Sequence, residues 1–178
     1  MSKYNLVKNC RICNSTNLHL ILDLGEQPPA NSLIDKSQLD IIEPKFPLRL
    51  FWCSDCFLVQ LLDIVNKEHL FKHYLYMTSA SKPIVDHFKK YAVDIFNKFL
   101  NKQENPFVVE IGSNDGSLLR EFKKLGSSIL GIEPASNLAK LANDSDITTL
   151  NDFFSLDIAK NIAQSKNTSV VVANNVIG

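Results

Sequence analysis

Two groups of residues have the types and spacing of chemistry. The first is a pair of cysteine knuckles, Cys10-x2-Cys13 and Cys53-x2-Cys56, separated by 39 residues. A two-residue spacer lets both thiolates of a knuckle converge on one ion, and two knuckles complete a tetrahedron around zinc. With all four positions filled by thiolate no place is left for water, so such a site is structural. Rubredoxin-like iron, disulfides and dithiol redox chemistry are the competing readings. The surroundings of neither pair have the strand-to-helix character of a thioredoxin-type motif.

The second group is a glycine loop with carboxylates on both sides, Glu110-Ile111-Gly112-Ser113-Asn114-Asp115-Gly116. Gly112 and Gly116 bracket a tight turn, where the backbone can approach a nucleotide-like ligand closely, and Asn114 between them tolerates a left-handed conformation. Glu133, 21 residues after Gly112 in Gly131-Ile132-Glu133-Pro134, is placed to accept hydrogen bonds from both ribose hydroxyls. A dinucleotide would bring a pyrophosphate against Glu110. S-adenosylmethionine (SAM) carries a sulfonium and an α-ammonium instead, and Glu110 with Asp115 suits a cation better than an anion. The dinucleotide and a ligand-free loop remain the alternatives. Asn151-Asp152-Phe153-Phe154 and Asn174-Asn175 fall where further strands end. Asp152 could bond an adenine amino group with Phe153 flanking the ring, and the two carboxamides could line the same crevice.

The elements that must position these groups follow from the hydrophobic pattern. Residues 1–65 read as a zinc-ribbon-like module of short strands and turns. Phe46, Leu48, Leu50 and Trp52 alternate as a half-buried strand leading into the second knuckle, and Pro28, Pro29, Pro44 and Pro47 confine regular structure to short pieces. Residues 66–104 read as a helical connector, with Ile84, Phe88, Tyr91, Ile95 and Phe99 as its stripe and Val85, Ala92 and Phe96 widening it. Ser81 and Pro83 suit a helix start. After the polar Asn101–Pro106 linker, residues 105–178 alternate strand and helix. Strands are expected at Phe107–Ile111, Ile129–Ile132, Ile147–Leu150 and Ser169–Ala173, and helices at Ser117–Leu125, Ser136–Asn143 and Leu156–Ala163. That alternation predicts an α/β fold, the first half of a Rossmann-like parallel sheet cut after its fourth strand, whose outer edge is left unpaired.

Composition narrows the class. The 178 residues carry 19 basic and 19 acidic groups and are 45% hydrophobic, which fits a packed core rather than a disordered tail. Residues 1–65 hold six basic side chains against seven acidic ones, so no basic face for nucleic acid is expected. No apolar run approaches a membrane span and the start lacks a secretory h-region, so a cytoplasmic protein without a membrane partner is expected. His19, His69, His73 and His87 lie in no carboxylate-paired or metal-spaced motif.

The chain resembles a family through the stretches Cys10–Cys13, Leu22–Asn31, Cys53–Leu61, Tyr74–Ser81, Glu110–Gly116, Gly131–Ala135, Asn151–Phe154 and Ala173–Val176. It is similar to the bacterial SAM-dependent nucleotide-sugar C-methyltransferases with an N-terminal zinc-binding module. The resemblance implies that a base removes the proton α to a keto-deoxysugar carbonyl and that the enolate carbon attacks the SAM methyl group. It implies a proton-donor or substrate-binding role for Tyr76, with Tyr74 as the fallback. It also implies SAM or substrate contacts for Thr78, Ser79 and Ser81, the last equally explained as a helix cap. In the family the catalytic histidines follow the Asn-Asn-Val segment, so the chain is expected to be an N-terminal portion of a longer protein, inactive alone. The alternatives are an N- or O-methyltransferase and a non-catalytic zinc-ribbon binding module. Neither the sugar nor the oligomeric state can be read from these residues.

Overall fold

A computed structural model describes residues 4–176. The chain divides into two compact units, Met1–Leu75 and Tyr76–Gly178.

The first unit holds two small antiparallel sheets. One is β1 (Tyr4–Leu6) with β5 (Asp63–Val65); the other is β2 (Leu18–Gln27), β3 (Phe46–Cys53) and β4 (Val59–Leu61) in that order. The ten-residue β2 is longer than the short pieces expected between the cysteine pairs. Its prolines fall outside it, and it stays paired with β3 by absorbing two register shifts, one of them spanning Asp23 and Glu26. There Gly25 takes a positive φ and donates its N–H to the Asp23 carboxylate at 2.8 Å. A bidentate Arg49–Asp63 pair, 2.8 and 2.6 Å, ties β3 to β5. Among the described residues the buried hydrophobic side chains of this unit are Cys10, Phe46, Cys53 and Leu62. Two of these four are cysteines of the knuckles, so apolar burial alone is a thin source of stability for this unit.

The short helix α1 (Lys67–Phe71) ends this unit, and residues 72–77 are irregular rather than helical as expected. In the second unit a 3-10 turn (Thr78–Ala80) leads into α2 (Lys82–Ile95), which continues as one π turn, Phe96–Leu100, closed by the Asn101 N–H on the Phe96 carbonyl at 2.9 Å. Ser81 holds the N-cap position without a side-chain cap bond. The π turn alters the expected stripe. The inserted residue advances the helix phase, so Leu100 is fully buried and Phe99 is 58% exposed.

Beyond it run β6 (Phe107–Ile111), α3 (Ser117–Lys124), β7 (Ser128–Ile132), α4 (Ser136–Asp144), β8 (Thr149–Leu150), α5 (Leu156–Ser165) and β9 (Val170–Ala173). The four strands form a parallel sheet in the order β8-β7-β6-β9, so β9 is an edge of the described sheet, and the third strand is shorter than expected. Alternation along β6 divides the core between the two faces. Val108 packs with Leu118, Leu119, Phe122 and the α2 residues Ala92, Phe88 and Tyr91, while Phe107, Val109 and Ile111 pack with Ile158 and Ile162 of α5. The helix expected to serve as a connector therefore contributes to the core of the second unit.

Candidate metal centre and candidate cofactor site

The two knuckles are built alike. The Asn14 N–H donates to the Cys10 carbonyl at 3.0 Å, and the Phe57 N–H to the Cys53 carbonyl at 2.9 Å. The Cys10 N–H reaches the Ser15 carbonyl at 2.7 Å, and the Cys53 N–H the Leu58 carbonyl at 2.9 Å. Asn14 and Phe57 both turn left-handed, at φ 62° and 63°. These turns bring the four Sγ atoms within 4.8 Å of one another, with Cys10–Cys56 at 3.5 Å and Cys13–Cys53 at 3.6 Å. A tetrahedral zinc with bonds of about 2.3 Å puts its sulfurs about 3.8 Å apart. All four cysteines are free.

Without an ion these thiols cannot all ionise. The Cys13 backbone favours the Cys10 thiolate, whose pKa falls to about 6, whereas Cys13 is pushed up to about 12. There the Ser15 backbone favours the thiolate, but desolvation and the sulfurs of Cys56, Cys53 and Cys10 outweigh it. A divalent cation removes that conflict, and four thiolates with no open position fit a structural zinc held by Cys10, Cys13, Cys53 and Cys56.

In the second unit the carboxyl ends of β6, β7, β8 and β9 bring the residues singled out in the sequence to one edge. The order of the strands reverses between β6 and β9, and a doubly wound sheet takes its ligands at such a switch point. Gly112 and Gly116 adopt φ of 66° and 74°. A Cβ on Gly112 would meet Val176 at 2.5 Å and one on Gly116 would meet Ile147 at 2.6 Å, so neighbouring side chains also require the absence of one. A Cβ on Gly131 would stand 2.4 Å from the Ser113 hydroxyl.

Three carboxylates occupy this edge in different states. Glu110 is 4% exposed, and burial first, then the charges of Asp115 and Glu133, raises its pKa well above the ordinary value. Burial also works against Asp115, but the Ser117 hydroxyl (2.6 Å), the Ser79 side chain and the N–H groups of Ser79 (2.8 Å) and Ser117 (3.2 Å) outweigh it and lower its pKa. Glu133 is raised by burial, against the Ala135 and Asn114 N–H groups it accepts at 2.8 Å each. Glu110 Oε2, Ser113 Oγ and Asn174 Nδ2 are buried at this edge without hydrogen-bond partners. Buried polar atoms are rarely left so, and these three lie on residues at or just after the carboxyl ends of β6 and β9.

The remaining sequence candidates have these places. Asn114 turns left-handed at φ 52° and clamps the start of the unit: its Nδ2 donates to the Tyr76 carbonyl at 3.0 Å and its Oδ1 accepts the Thr78 N–H at 2.9 Å. Ser79 meets the loop through its backbone, on Asp115. Tyr76 is 43% exposed. The Pro134 carbonyl accepts the Asn151 side chain at 3.1 Å, Asp152 accepts the Phe153 N–H at 2.7 Å, and Asn175 is exposed at φ 55°. The clamp made by Asn114 was hidden in the sequence, because its partners are backbone atoms with no sequence signature.

Residues 10–71 match the Methyltransf_13 family, described as "Putative zinc binding domain". The chain is 31% identical over 157 residues to the C-methyltransferase NovU of Streptomyces niveus, an alignment covering 88% of this chain and 37% of that relative's length. Among solved structures it is similar to Streptomyces venezuelae DesVI at 17% identity and a TM-score of 0.41, over 57% of this chain and 44% of that one. It is also similar to the plantazolicin methyltransferase BpumL in complex with SAH, at 18% identity and a TM-score of 0.34, over 50% and 34%. Those scores are too low to bear on the fold or the site. The chain thus matches the zinc-binding domain over residues 10–71 and is similar along most of its length to a C-methyltransferase, of whose length it spans 37%.

Proposed function

We propose that this chain is the zinc-bearing N-terminal portion of a SAM-dependent C-methyltransferase that acts on a nucleotide-linked keto-deoxysugar through an enolate. The observation that carries the SAM reading is the edge where Glu110 keeps a buried oxygen without a partner beside Asp115 and Glu133. Such a cluster favours a cationic guest, and SAM is a nucleoside with two positive centres. Glu133, anchored by two backbone N–H groups through one lone pair of each oxygen, retains acceptor capacity for ribose hydroxyls.

When bound, SAM supplies an electrophilic methyl carbon and a neutral thioether leaving group. The proposed reaction moves the proton α to the sugar ketone onto a general base. SAM held beside Glu110, Asp115 and Glu133 would give its methyl group to the enolate carbon, its sulfur keeping the electron pair of the broken bond. Tyr76 is proposed to donate its phenolic proton as a hydrogen bond to the developing enolate oxygen or to hold the substrate. Asn114 and Asp115 hold the Tyr76–Ser79 backbone against the glycine loop. The likeness to a C-methyltransferase supports carbon as the methylated atom.

Isothermal titration tests the cofactor reading. SAM and its demethylated product should bind while NAD gives no comparable heat, and Glu110→Gln should weaken SAM about tenfold, the equivalent of about 1.4 kcal/mol. Equal binding of NAD, or no binding of either, overturns it. The acceptor is tested in the full-length enzyme by following solvent deuterium into the carbon α to the ketone of a nucleotide-linked ketosugar. Methylation at N or O with no such exchange would refute the enolate reading.

A further inference from the structure

Glu110 differs from the other two buried carboxylates of its edge in what surrounds it. Asp115 accepts hydrogen bonds from Ser117 and Ser79, and Glu133 accepts them from Asn114 and Ala135. Backbone N–H groups thus hold both of those charges. No donor reaches Glu110 Oε2, although the residue is buried as deeply as they are. The sheet explains the difference. Parallel register sets Glu110 opposite Gly131 of β7 on one side and Val172 of β9 on the other, and residues so paired share a face. Neither neighbour has a polar side chain to offer. The Ser113 hydroxyl fills the place where Gly131 lacks a side chain, but it too is without a partner.

Strand alternation puts Glu110 on the same face as Val108, above the apolar core built with α2 and α3. The charges acting on it are those of Asp115, in the loop before α3, and Glu133, just past β7, both of like sign; among the described residues α2, α3 and β9 add none. None of the described ion pairs includes any of the three carboxylates. Glu110 is therefore short of both a donor and a positive charge, and a buried carboxyl so placed takes up a proton rather than stay charged. A cation that bears N–H groups supplies both at once. The α-ammonium common to SAM and its demethylated product is such a group, whereas a sulfonium has no N–H.

We propose that Glu110 holds a proton in the free protein and releases it to solvent when the cofactor binds, so that binding exchanges a proton for an ammonium. The inference rests on the SAM reading of this edge and adds a pH dependence to it. Glu110 must give up its proton before the cation is accommodated, so affinity falls as pH falls, approaching about tenfold per pH unit. Asp115 and Glu133 do not take part, because their N–H partners favour the charged form in the free protein already.

Titration calorimetry at about pH 5.5, in buffers of different ionisation enthalpy, tests the exchange on the unaltered chain. The slope of the observed heat against buffer enthalpy should report about one proton released per SAM bound, and the same for the demethylated product. 5′-Methylthioadenosine, which keeps the nucleoside but has no ammonium, should release none. Glu110→Gln should abolish the release and flatten the pH dependence of SAM affinity. Glu133→Gln should keep both, with weaker binding. SAM that binds without proton release would overturn the exchange and leave the cofactor site standing. So would a release lost in Glu133→Gln and kept in Glu110→Gln. No binding of SAM at any pH would overturn the site, and the exchange with it.

Discussion

Asn14 and Phe57 hold the same position in two copies of one turn: each adopts a left-handed conformation, and each donates its N–H to the carbonyl of the first cysteine of its knuckle. Only one of the two residues is suited to it. Asparagine visits this region readily, whereas a bulky aromatic residue there costs about 1–2 kcal/mol. The strain at Phe57 is tolerated because the turn aims Cys53 and Cys56 at the sulfurs of the other knuckle.

Phe57→Asn should therefore stabilise the zinc-binding unit by about 1 kcal/mol, less what is lost with the tilted Trp52 contact, whose ring centroids are 6.2 Å apart. Asn14→Ala should destabilise it by a similar amount. Chelator-induced unfolding followed by Trp52 fluorescence measures both, and a less stable Phe57→Asn would contradict the strain argument.

Zinc should hold the first unit together, since its described hydrophobic core is so small and includes two of the ligands. Cys53→Ser should lower the metal content from near one ion per chain to near zero, read by elemental analysis. Structural zinc contributes on the order of 10 kcal/mol in small domains, so the variant should also lose the dispersion of its β2–β4 amide resonances. Retention of both metal and dispersion would count against a structural role.

Stability of the second unit should depend on pH through Glu110. Its folded-state pKa is raised, so the folded chain keeps a proton that the unfolded chain gives up. Stability is full below the unfolded value near 4.5 and falls as pH rises toward the folded value. Asp115 has the opposite sign, losing its contribution as pH falls through its lowered pKa. Glu110→Gln should thus raise the thermal midpoint at pH 7 and flatten the decline above pH 4.5, even as it weakens SAM. Calorimetry across that range decides it: an unchanged slope would show that Glu110 is ionised in the free protein.

Asn114→Ala should free the segment that carries Tyr76. It removes both bonds of the clamp and leaves alanine at a positive φ, a combined cost of about 2–3 kcal/mol. Hydrogen exchange at Thr78 should accelerate, while the Ser79 amide, held by Asp115, changes less. Uniform protection at both amides would argue against the clamp.

The amino-acid sequence by itself determined the ligands of the metal centre, because two Cys-x2-Cys spacings leave little freedom in what can converge on an ion. It also determined the α/β alternation after Pro106 and the glycine loop, since strand period, helix period and obligatory glycines are local properties written residue by residue. The exchange of Leu100 for Phe99 in the core needed the π turn, which no periodicity announces. The ten-residue β2 depended on bulges that let a ladder continue past an irregular register. Only the tertiary structure decided which buried polar atoms have partners. Gln60 looks like an ordinary strand residue in the sequence, and Glu110 stands out there only by its charge; that each keeps a buried polar atom without a partner is visible only in space. Hydrogen-bond satisfaction is a property of the packed chain, so the states of these two side chains emerge only once the strands and knuckles are in place.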